Sequence, residues 1–544
     1  MKTIARPRIA AAAMAALILA TVCVPLSVSA GAAEISATAD QPGGANWNQA
    51  TWTGGQWSDG LVPSSGKDYV TAHVLRTSEI ANSTFGGGSL RIAAGGVLSL
   101  KQSYSATSRT AYVNNLILDG GMIVAGNTTN SGVYQNVDAD IEVRSASTIS
   151  LGGDASRHIK FINGALSGSG DVLVTGYSTA TDLYLDTTLT STHTGNWTVT
   201  TAKLVATRDD QIYDQATVTL SNGNSHLDIR SDQRIGSLTG SGRVTSGATG
   251  SRTLSVGGNG ASTAFSGIVQ NGSGTMSLTK EGAGTLTLSG SNPYTGATSI
   301  TAGTLELSGA GAITGSSGIT VNGAMAALIT NSSTAVARPI TITQGTIGGT
   351  GAVNTAVTIG SGAIISPGNS PGSQSYLAGM TWNAGGSYRF EINNATGTAE
   401  TNWDLLNISG ALNLAALNAS NRFNILLTSL TLGNIGGNAA NFDPTATCAW
   451  LLADSDTTIS TFTGSEQFFV NTAAFTNPVS GTFAVVRGDS VTGGDTTQLY
   501  LQYTGIPEPA SATLLVIGVV GMILRRRSSH NDRPSAPVLK GRVR

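Results

Sequence analysis

One stretch, residues 281–311, most restricts what this chain can fold into. It reads EGAGTLTLSGSNPYTGATSITAGTLELSGAG, in which Leu286 and Leu288 alternate with threonines and Leu305 and Leu307 repeat the pattern. Alternation with a period of two is typical of a strand with one buried face, and the Asn-Pro and glycine residues between the two pairs are typical of turns. The stretch therefore predicts a strand, a turn and a second strand.

The same alternation recurs along most of the chain, from Leu90 to Ile365. The most regular apolar pairs begin at Leu286, Leu305, Ile319, Ile340 and Val357. A short strand plus Gly-rich corners of this spacing fits one coil of a right-handed parallel β-helix, in which each strand stacks on its equivalent one turn away. We therefore predict an all-β fold, a right-handed parallel β-helix (β-solenoid) with about 20 residues per coil. A multi-sheet antiparallel assembly is the alternative.

The composition also favours an all-β fold. Only 11% of the 544 residues are charged, and 70 are glycine. Glycine tolerates positive φ, and Ser, Thr and Asn bond nearby backbone groups, so this composition suits a chain with many corners. The apolar fraction of 40% argues against disorder, because a disordered chain lacks residues to bury.

The charge content argues against a nucleic-acid-binding protein, and the cysteine content argues against a fold held by disulfides. The two termini hold ten of the 29 basic residues and two of the 31 acidic ones, so residues 31–505 carry a net charge of −10. A nucleic-acid partner is therefore not expected, since it requires a basic face. Of the two cysteines, Cys23 lies in a segment predicted to be removed, which leaves Cys448 without a disulfide partner. We expect Cys448 to be buried and inert.

The first 89 residues divide into two predicted segments. Residues 1–30 have a basic start, an apolar run and small residues ending at Ala30, which is typical of a signal peptide cleaved after that residue. A retained membrane helix is the alternative. Residues 31–89 are predicted to form an N-terminal cap that covers the first coil. The cap segment contains three tryptophans that a sugar-stacking platform would also use, namely Trp47, Trp52 and Trp57.

The remaining segment boundaries follow from changes in the residue pattern along the chain. Residues 90–379 are the predicted β-helix region. Near the end of this region, the alternation of apolar and polar residues stops at the sequence ISPGNSPGS. Residues 380–504 have longer and bulkier strands, which predict a C-terminal β region, either a sandwich or the closing coils of the solenoid. Residues 510–524 form an apolar run that predicts a terminal hydrophobic helix of only about 22 Å, a marginal membrane anchor. The basic residues that follow place the tail, 528–544, in the cytoplasm.

Two segments resemble known families. The stretch 281–311 is similar to the autotransporter-associated β-strand repeat of exported bacterial surface proteins, which implies a β-helix. Residues 505–527 resemble a PEP-CTERM sorting signal: Pro507-Glu508-Pro509, a short hydrophobic helix, and then Arg525, Arg526 and Arg527. That resemblance implies recognition in the membrane by an exosortase, a cysteine-dependent processing enzyme. The chain departs from the family in having seventeen residues after the arginines.

None of the sequence motifs that resemble catalytic ones is supported by the residues around it. The histidines, which are far apart and predicted to be solvent-facing or in loops, are His73, His158, His193, His226 and His530. Residues 368–372 match the G-x-S-x-G string of serine hydrolases, but Pro371 has no N–H for an oxyanion, which favours a double turn. Residues 488–490 resemble a GDS-type esterase block and are better explained as a hairpin turn.

One acidic group leaves an enzyme as an alternative. Asp209, Asp210 and Asp214 suit calcium binding or the acid and base of a polysaccharide hydrolase. Plain surface pairing with the nearby Lys203 and Arg208 is the simpler interpretation. We predict neither a cofactor nor a metal site.

These features predict an exported, envelope-displayed or matrix-released scaffold, without catalysis and processed by an exosortase-type enzyme. Its expected partners are that enzyme, the membrane through 510–524, and extracellular polysaccharide. The alternatives are a carbohydrate-active β-helix enzyme, a lyase or hydrolase, and an adhesin or polysaccharide-binding module.

Overall fold

A computed structural model describes most of the chain. The described residues are 34–40, 57–79, 81–101, 107–126, 133–152, 157–178 and 180–506. The predicted signal peptide with Ala30, both terminal hydrophobic segments, residues 507–527 of the predicted sorting signal 505–527, and the tail lie outside the described residues. Trp47, Trp52 and His530 also lie outside them.

The described residues form 44 strands and two single-turn 3₁₀ helices, Ser465–Gln467 and Gly488–Ser490. The first half of the chain contains β1 (Ile35–Ser36), β2 (Asp68–Thr71), β3 (Val74–Arg76), β4 (Ser83–Thr84), β5 (Ser89–Ala93), β6 (Val97–Leu100), β7 (Arg109–Asp119), β8 (Met122–Ala125), β9 (Gln135–Ser145), β10 (Ser147–Ser150), β11 (His158–Asn163), β12 (Leu166–Gly168), β13 (Val172–Thr175), β14 (Asp182–Thr187), β15 (Trp197–Thr200), β16 (Lys203–Ala206), β17 (Thr217–Leu220), β18 (His226–Ile229), β19 (Gln233–Ile235), β20 (Ser237–Gly240), β21 (Arg243–Ser246), β22 (Ser251–Val256), β23 (Thr263–Phe265) and β24 (Ile268–Asn271). The second half contains β25 (Thr275–Lys280), β26 (Thr285–Leu288), β27 (Ser291–Asn292), β28 (Thr298–Ile300), β29 (Gly303–Gly309), β30 (Ala312–Ile313), β31 (Ile319–Ser332), β32 (Ile340–Gly349), β33 (Val357–Ile359), β34 (Ala363–Pro367), β35 (Ser373–Tyr376), β36 (Met380–Trp382), β37 (Ser387–Ile392), β38 (Leu405–Ile408), β39 (Leu412–Asn413), β40 (Phe423–Ser429), β41 (Cys448–Ser455), β42 (Phe468–Ala474), β43 (Thr482–Arg487) and β44 (Gln498–Thr504).

The strands stack in parallel into a β-solenoid, as the sequence predicted. Sheet 1 is a 13-stranded sheet that begins with β1, β2, β5, β7 and β9 and ends at β24. Sheet 2 contains a second face, in which β3, β6, β8, β10 and β13 start an unbroken parallel series that ends at β42. Sixteen successive pairings along this series, at about 4.8 Å each, give a rod about 75 Å long.

The core lies inside the coils because alternate residues of each strand point inward. In β26, Leu286 and Leu288 are buried and stack on Leu305 and Leu307 of β29, as the repeat stretch predicted. One hydrophobic cluster runs from Ala37 to Tyr503. The same alternation in every coil therefore builds one continuous core rather than separate domains.

Three corners with related sequences share one backbone conformation. Gly168, Gly240 and Gly349 end β12, β20 and β32 with φ of 93°, 99° and 105°, a region that favours glycine. A Cβ atom at Gly240 would also lie 2.0 Å from the carbonyl oxygen of Leu220 in the preceding coil. Glycine is thus required at these corners both by φ and by the close approach of the next coil.

The predicted spacing was wrong in detail. Leu98, Ile123 and Ile149 are paired neighbours, so these coils contain about 25 residues and not 20. Ile319 pairs with Thr298 rather than with Leu305, whose partner is Leu328. Each coil contributes strands to more than one face, and neighbouring faces have the same alternation, so the sequence alone assigned two faces to one series.

Parallel pairing extends beyond both ends of the region 90–379. Upstream, β2 pairs with β5 in sheet 1, and Trp57 is buried against the rings of Tyr69 and Phe85, at 4.9 and 6.0 Å between centroids. Downstream, β37, β40 and β42 continue sheet 2 in parallel. The final sheet, β35-β38-β41-β44-β43, changes to antiparallel pairing at β41 and β44.

Candidate functional site

The outer surface of sheet 1 carries charged side chains on several successive strands. In β14, Leu183 and Leu185 belong to the core, so Asp182, Tyr184 and Asp186 lie on the opposite side of the sheet. The equivalent positions of the neighbouring strands also carry charged residues. Register places these groups side by side on successive strands: His158, Lys160, Asp182, Asp186, Lys203, His226, Asp228 and Arg243.

Asp182 is the best-connected carboxylate of this surface. Its oxygens lie 3.2 Å from His158 Nδ1 and 3.4 Å from Lys203 Nζ, and Tyr184 donates its hydroxyl at 3.1 Å. Burial acts to raise the pKa of Asp182, but the contacts with His158 and Lys203 outweigh it and hold the pKa below its usual range. Asp182 is therefore a paired anion that links three strands.

The other carboxylates are also paired with cations. Asp186 contacts Lys160 at 2.7 Å and Arg208 at 3.3 Å, and Asp228 contacts Arg230 at 3.4 Å. The Asp228 side chain is only 5% exposed, whereas Arg208 is 53% exposed. The anions thus lie beneath longer cations, an arrangement that joins neighbouring coils and gives each of these carboxylates a cationic partner.

His158 and His226 are buried within strands, so the prediction of solvent-facing or loop positions was wrong for these two histidines, whereas His193 lies in a loop and is also buried. His158, His193 and His226 are at most 9% exposed, whereas His73 is more open and pairs with Asp40 at 3.1 Å. Strands only about 4.8 Å apart let long neighbouring side chains cover a histidine even on the outer surface. Burial, followed by Lys203 and Arg243, lowers the pKa of His226 to about 4.

An open groove of about 380 Å³ lies beside this surface, where strands β14, β16 and β18 end. Segment 187–191 and the corner 207–211 form most of its lining, together with Ser231. The lining contains six Ser and Thr residues and one apolar side chain, Leu189, which is 57% exposed. It also contains one cation, Arg208, and one anion, Asp209.

Asp209 and Asp210 shape the corner next to this groove. Asp209 Oδ1 accepts the Ser231 hydroxyl and the N–H of Asp232, at 3.0 Å for the latter, while Asp210 accepts the N–H of Arg234 at 3.0 Å. Both carboxylates therefore cap the next coil. Lys203 and Arg208 pair with Asp182 and Asp186 instead, so the predicted surface pairing with Asp209, Asp210 or Asp214 was wrong.

A second groove, of about 360 Å³, lies on the outer surface of earlier coils and is acidic. Asp68 accepts the Ser89 hydroxyl at 2.7 Å, Asp140 accepts the N–H of Ala165 at 2.8 Å, and Glu142 pairs with Arg144 at 2.8 Å. All three carboxylates thus have partners within the fold. No group of three or more His, Cys, Asp or Glu side chains suited to a shared metal ion occurs in the described part of the chain.

The two hydrolase-like strings form turns. Residues 368–372 connect β34 to β35, and the N–H of Gly372 donates to Asp404 at 2.9 Å. Residues 488–490 form a 3₁₀ turn in the connection between antiparallel β43 and β44, where Asp489 pairs with Arg487 at 2.7 Å. Cys448 is half-buried, and burial raises the pKa of its thiol to about 11, so little reactive thiolate forms near neutral pH.

Comparison with known proteins identifies one repeat segment of this chain. Residues 278–307 match the family model of the passenger-associated transport repeat, and this segment includes β26 and residues 303–307 of β29. The match covers 30 of 544 residues, so it describes one segment of the solenoid. No curated protein matches the chain. Within the described residues, no helix has the length and apolar character needed to cross a membrane.

Proposed function

We propose that this chain is an exported β-solenoid scaffold, displayed at the cell envelope or released into the extracellular matrix, with no catalysis of its own. The match of residues 278–307 to a passenger-type repeat within a parallel solenoid carries this proposal. The pairing of Asp182 and Asp186 with cations supports the non-catalytic part, because these contacts outweigh burial and hold the pKa of both carboxyls low, whereas the general acid of a glycoside hydrolase needs a raised pKa. A rigid rod separates what is attached at its two ends.

We further propose that the termini direct export and processing. Residues 1–30 would act as the signal peptide, with cleavage after Ala30. The resemblance of Pro507-Glu508-Pro509, the apolar segment 510–524 and Arg525–Arg527 to a sorting signal supports processing by an exosortase-type enzyme. The arginines would hold the C-terminal side of the anchor in the cytoplasm until cleavage.

Mass spectrometry of both termini of the protein secreted by its native host tests this proposal. We expect an N-terminus at Gly31 and a C-terminus near Pro507-Glu508-Pro509. Replacement of Glu508 by Ala should leave the chain uncleaved in the membrane fraction, while Glu466→Ala, a matched change in an exposed turn, should leave processing unchanged. A secreted protein that still ends at Arg544 would exclude processing at this site.

A further inference from the structure

The groove lined by residues 187–191, 207–209, Gln211 and Ser231 has the features of a ligand site. It is concave and open to solvent, and its volume of about 380 Å³ falls within the range of small-ligand sites, about 300–1,000 Å³. Such sites are usually mostly apolar, whereas this lining is mostly hydroxyl and charged groups. A ligand for it must therefore be rich in polar groups.

Several groups in the groove remain available to a ligand. Arg208 uses Nε for Asp186, while neither of its terminal nitrogens hydrogen-bonds to any described residue. Asp209 accepts both of its bonds through Oδ1, and Oδ2 has no bond to the described residues. Thr190 is exposed, and its hydroxyl also has no hydrogen bond in the described part of the chain. The groove thus offers donors, an acceptor and a hydroxyl together.

The charged side chains of the groove favour a neutral ligand. Arg208 and Asp209 place one positive and one negative group in the same lining, so a strongly anionic ligand meets the carboxylate and a strongly cationic one meets the guanidinium. The net charge of −10 on residues 31–505 further disfavours polyanions. A neutral ligand avoids both penalties.

The one apolar side chain of the lining, Leu189, indicates that the ligand also has an apolar surface. Leu189 is 57% exposed within an otherwise polar lining. A sugar ring combines an apolar C–H face with hydroxyls around its edge, so it can pack on Leu189 while its hydroxyls bond Arg208, Asp209 and Thr190. We propose that this groove binds a neutral saccharide, as a segment of a polysaccharide chain. The binding is expected to be weak, because the groove is open and wet.

Binding of defined sugars to the purified full-length protein tests the proposal. The probes are glucose hexamers with β-1,4, α-1,4 and β-1,3 linkages, a β-1,4 mannose hexamer, and a galacturonic acid hexamer as the charged counterpart. Saturation-transfer NMR should detect at least one neutral hexamer at or below about 10 mM. Its affinity should change less than about twofold between about 50 and about 500 mM NaCl, because the ligand is uncharged.

Matched variants locate the site. Arg208→Gln and Leu189→Ala should each weaken binding about tenfold. Arg234→Gln is the control for the first, because Arg234 is also 53% exposed and paired with a carboxylate, Glu281. Leu432→Ala is the control for the second, since Leu432 is 66% exposed elsewhere. Both controls should bind as the unaltered protein does.

Three outcomes would overturn the proposal: no neutral hexamer binds, the galacturonic acid hexamer binds best, or the groove variants match their controls. Circular dichroism and melting of each variant exclude unfolding as the cause of lost binding. Because the assay uses purified protein, a negative result would leave export and processing untouched, and a failure of the processing experiment would leave sugar binding untouched.

Discussion

Asp404 is expected to be one of the most sensitive polar residues of the solenoid. It is fully buried, and its two oxygens accept the N–H groups of Gly372 and Glu391, both at 2.9 Å. The carboxyl thereby fastens the turn 368–372 to strand β37. Asp404→Ala leaves two buried N–H groups without an acceptor, at about 1–3 kcal/mol each, so we expect a loss of about 2–6 kcal/mol. Asp404→Asn keeps one acceptor and should cost about half as much.

The pH dependence of this effect has a defined sign. Burial, followed by the charge of Glu391, raises the pKa of Asp404 well above its ordinary value of 3.8. The folded chain therefore keeps a proton that the unfolded chain has released. The stability contributed by this group is complete below about pH 4 and is lost as the pH rises through the folded-state pKa. Asp404→Asn does not titrate, so its deficit relative to the unaltered protein should be largest in acid.

Native-state hydrogen exchange is the appropriate assay, because a long solenoid need not unfold in one step. The opening free energies of the Gly372 and Glu391 amides should fall most in Asp404→Ala. Asp443→Ala is the control, since exposed Asp443 makes a similar bond to the N–H of Thr445, at 2.8 Å. The reasoning is refuted if both alanine variants lose equal protection, or if Asp404→Asn keeps the pH dependence of the unaltered protein.

Three further predictions concern the core and the coil corners. Leu288→Ala should cost about 2–5 kcal/mol and reduce exchange protection mainly in adjacent coils, whereas Thr287→Ala on the outer side should cost less than about 1 kcal/mol; equal effects would contradict the inward assignment. Trp57→Ala should cost about 3–5 kcal/mol, seen as early loss of N-terminal protection, and a neutral effect would contradict its role as a buried cap. Lys280 is buried, with Nζ donating to the carbonyl of Gly282 at 2.8 Å, and burial lowers its pKa to about 8. Because the folded chain loses this proton first, stability relative to Lys280→Met should rise from about pH 8 to about pH 10.5 in thermal melts, and a fall would contradict it.

The sequence correctly predicted which strand residues point into the core of the solenoid. Leu286 and Leu305 alternate with threonines, and that pattern leaves one buried face whichever coil a strand belongs to. The corner glycines were equally readable, because Gly168 and Gly240 occupy backbone conformations that few other residues adopt. Register was not readable. Ile319 satisfies the pattern for two faces, and only the length of the intervening corner, which varies, decides between them.

The candidate site was much less predictable. The sequence shows Asp209 as an acid near other acids, but its hydrogen-bond partners come from the next coil, 22 residues further on at Ser231. Leu189 gave no signal, since a single leucine in a Thr-rich segment is equally consistent with the core. The burial of His226 likewise depends on neighbours in sequence-distant strands, such as Thr245, whose hydroxyl lies 2.8 Å from its ring nitrogen. A stronger signal would have required knowing the length of each coil, which is about 22 residues at Asp209 and about 25 at Leu98.

The solenoid separates the residues that hold the fold from those free to acquire function. Inward positions such as Leu288 stack on their equivalents in both neighbouring coils, so each change there disturbs three coils at once. Arg208 and Leu189 lie at corners and have no such stacking role in the core. Substitutions in the groove should therefore alter ligand binding with little effect on melting, and core substitutions should do the reverse in coils far from the groove. A groove variant that lost binding only in proportion to its lost stability would show that the corner is part of the architecture and not a site.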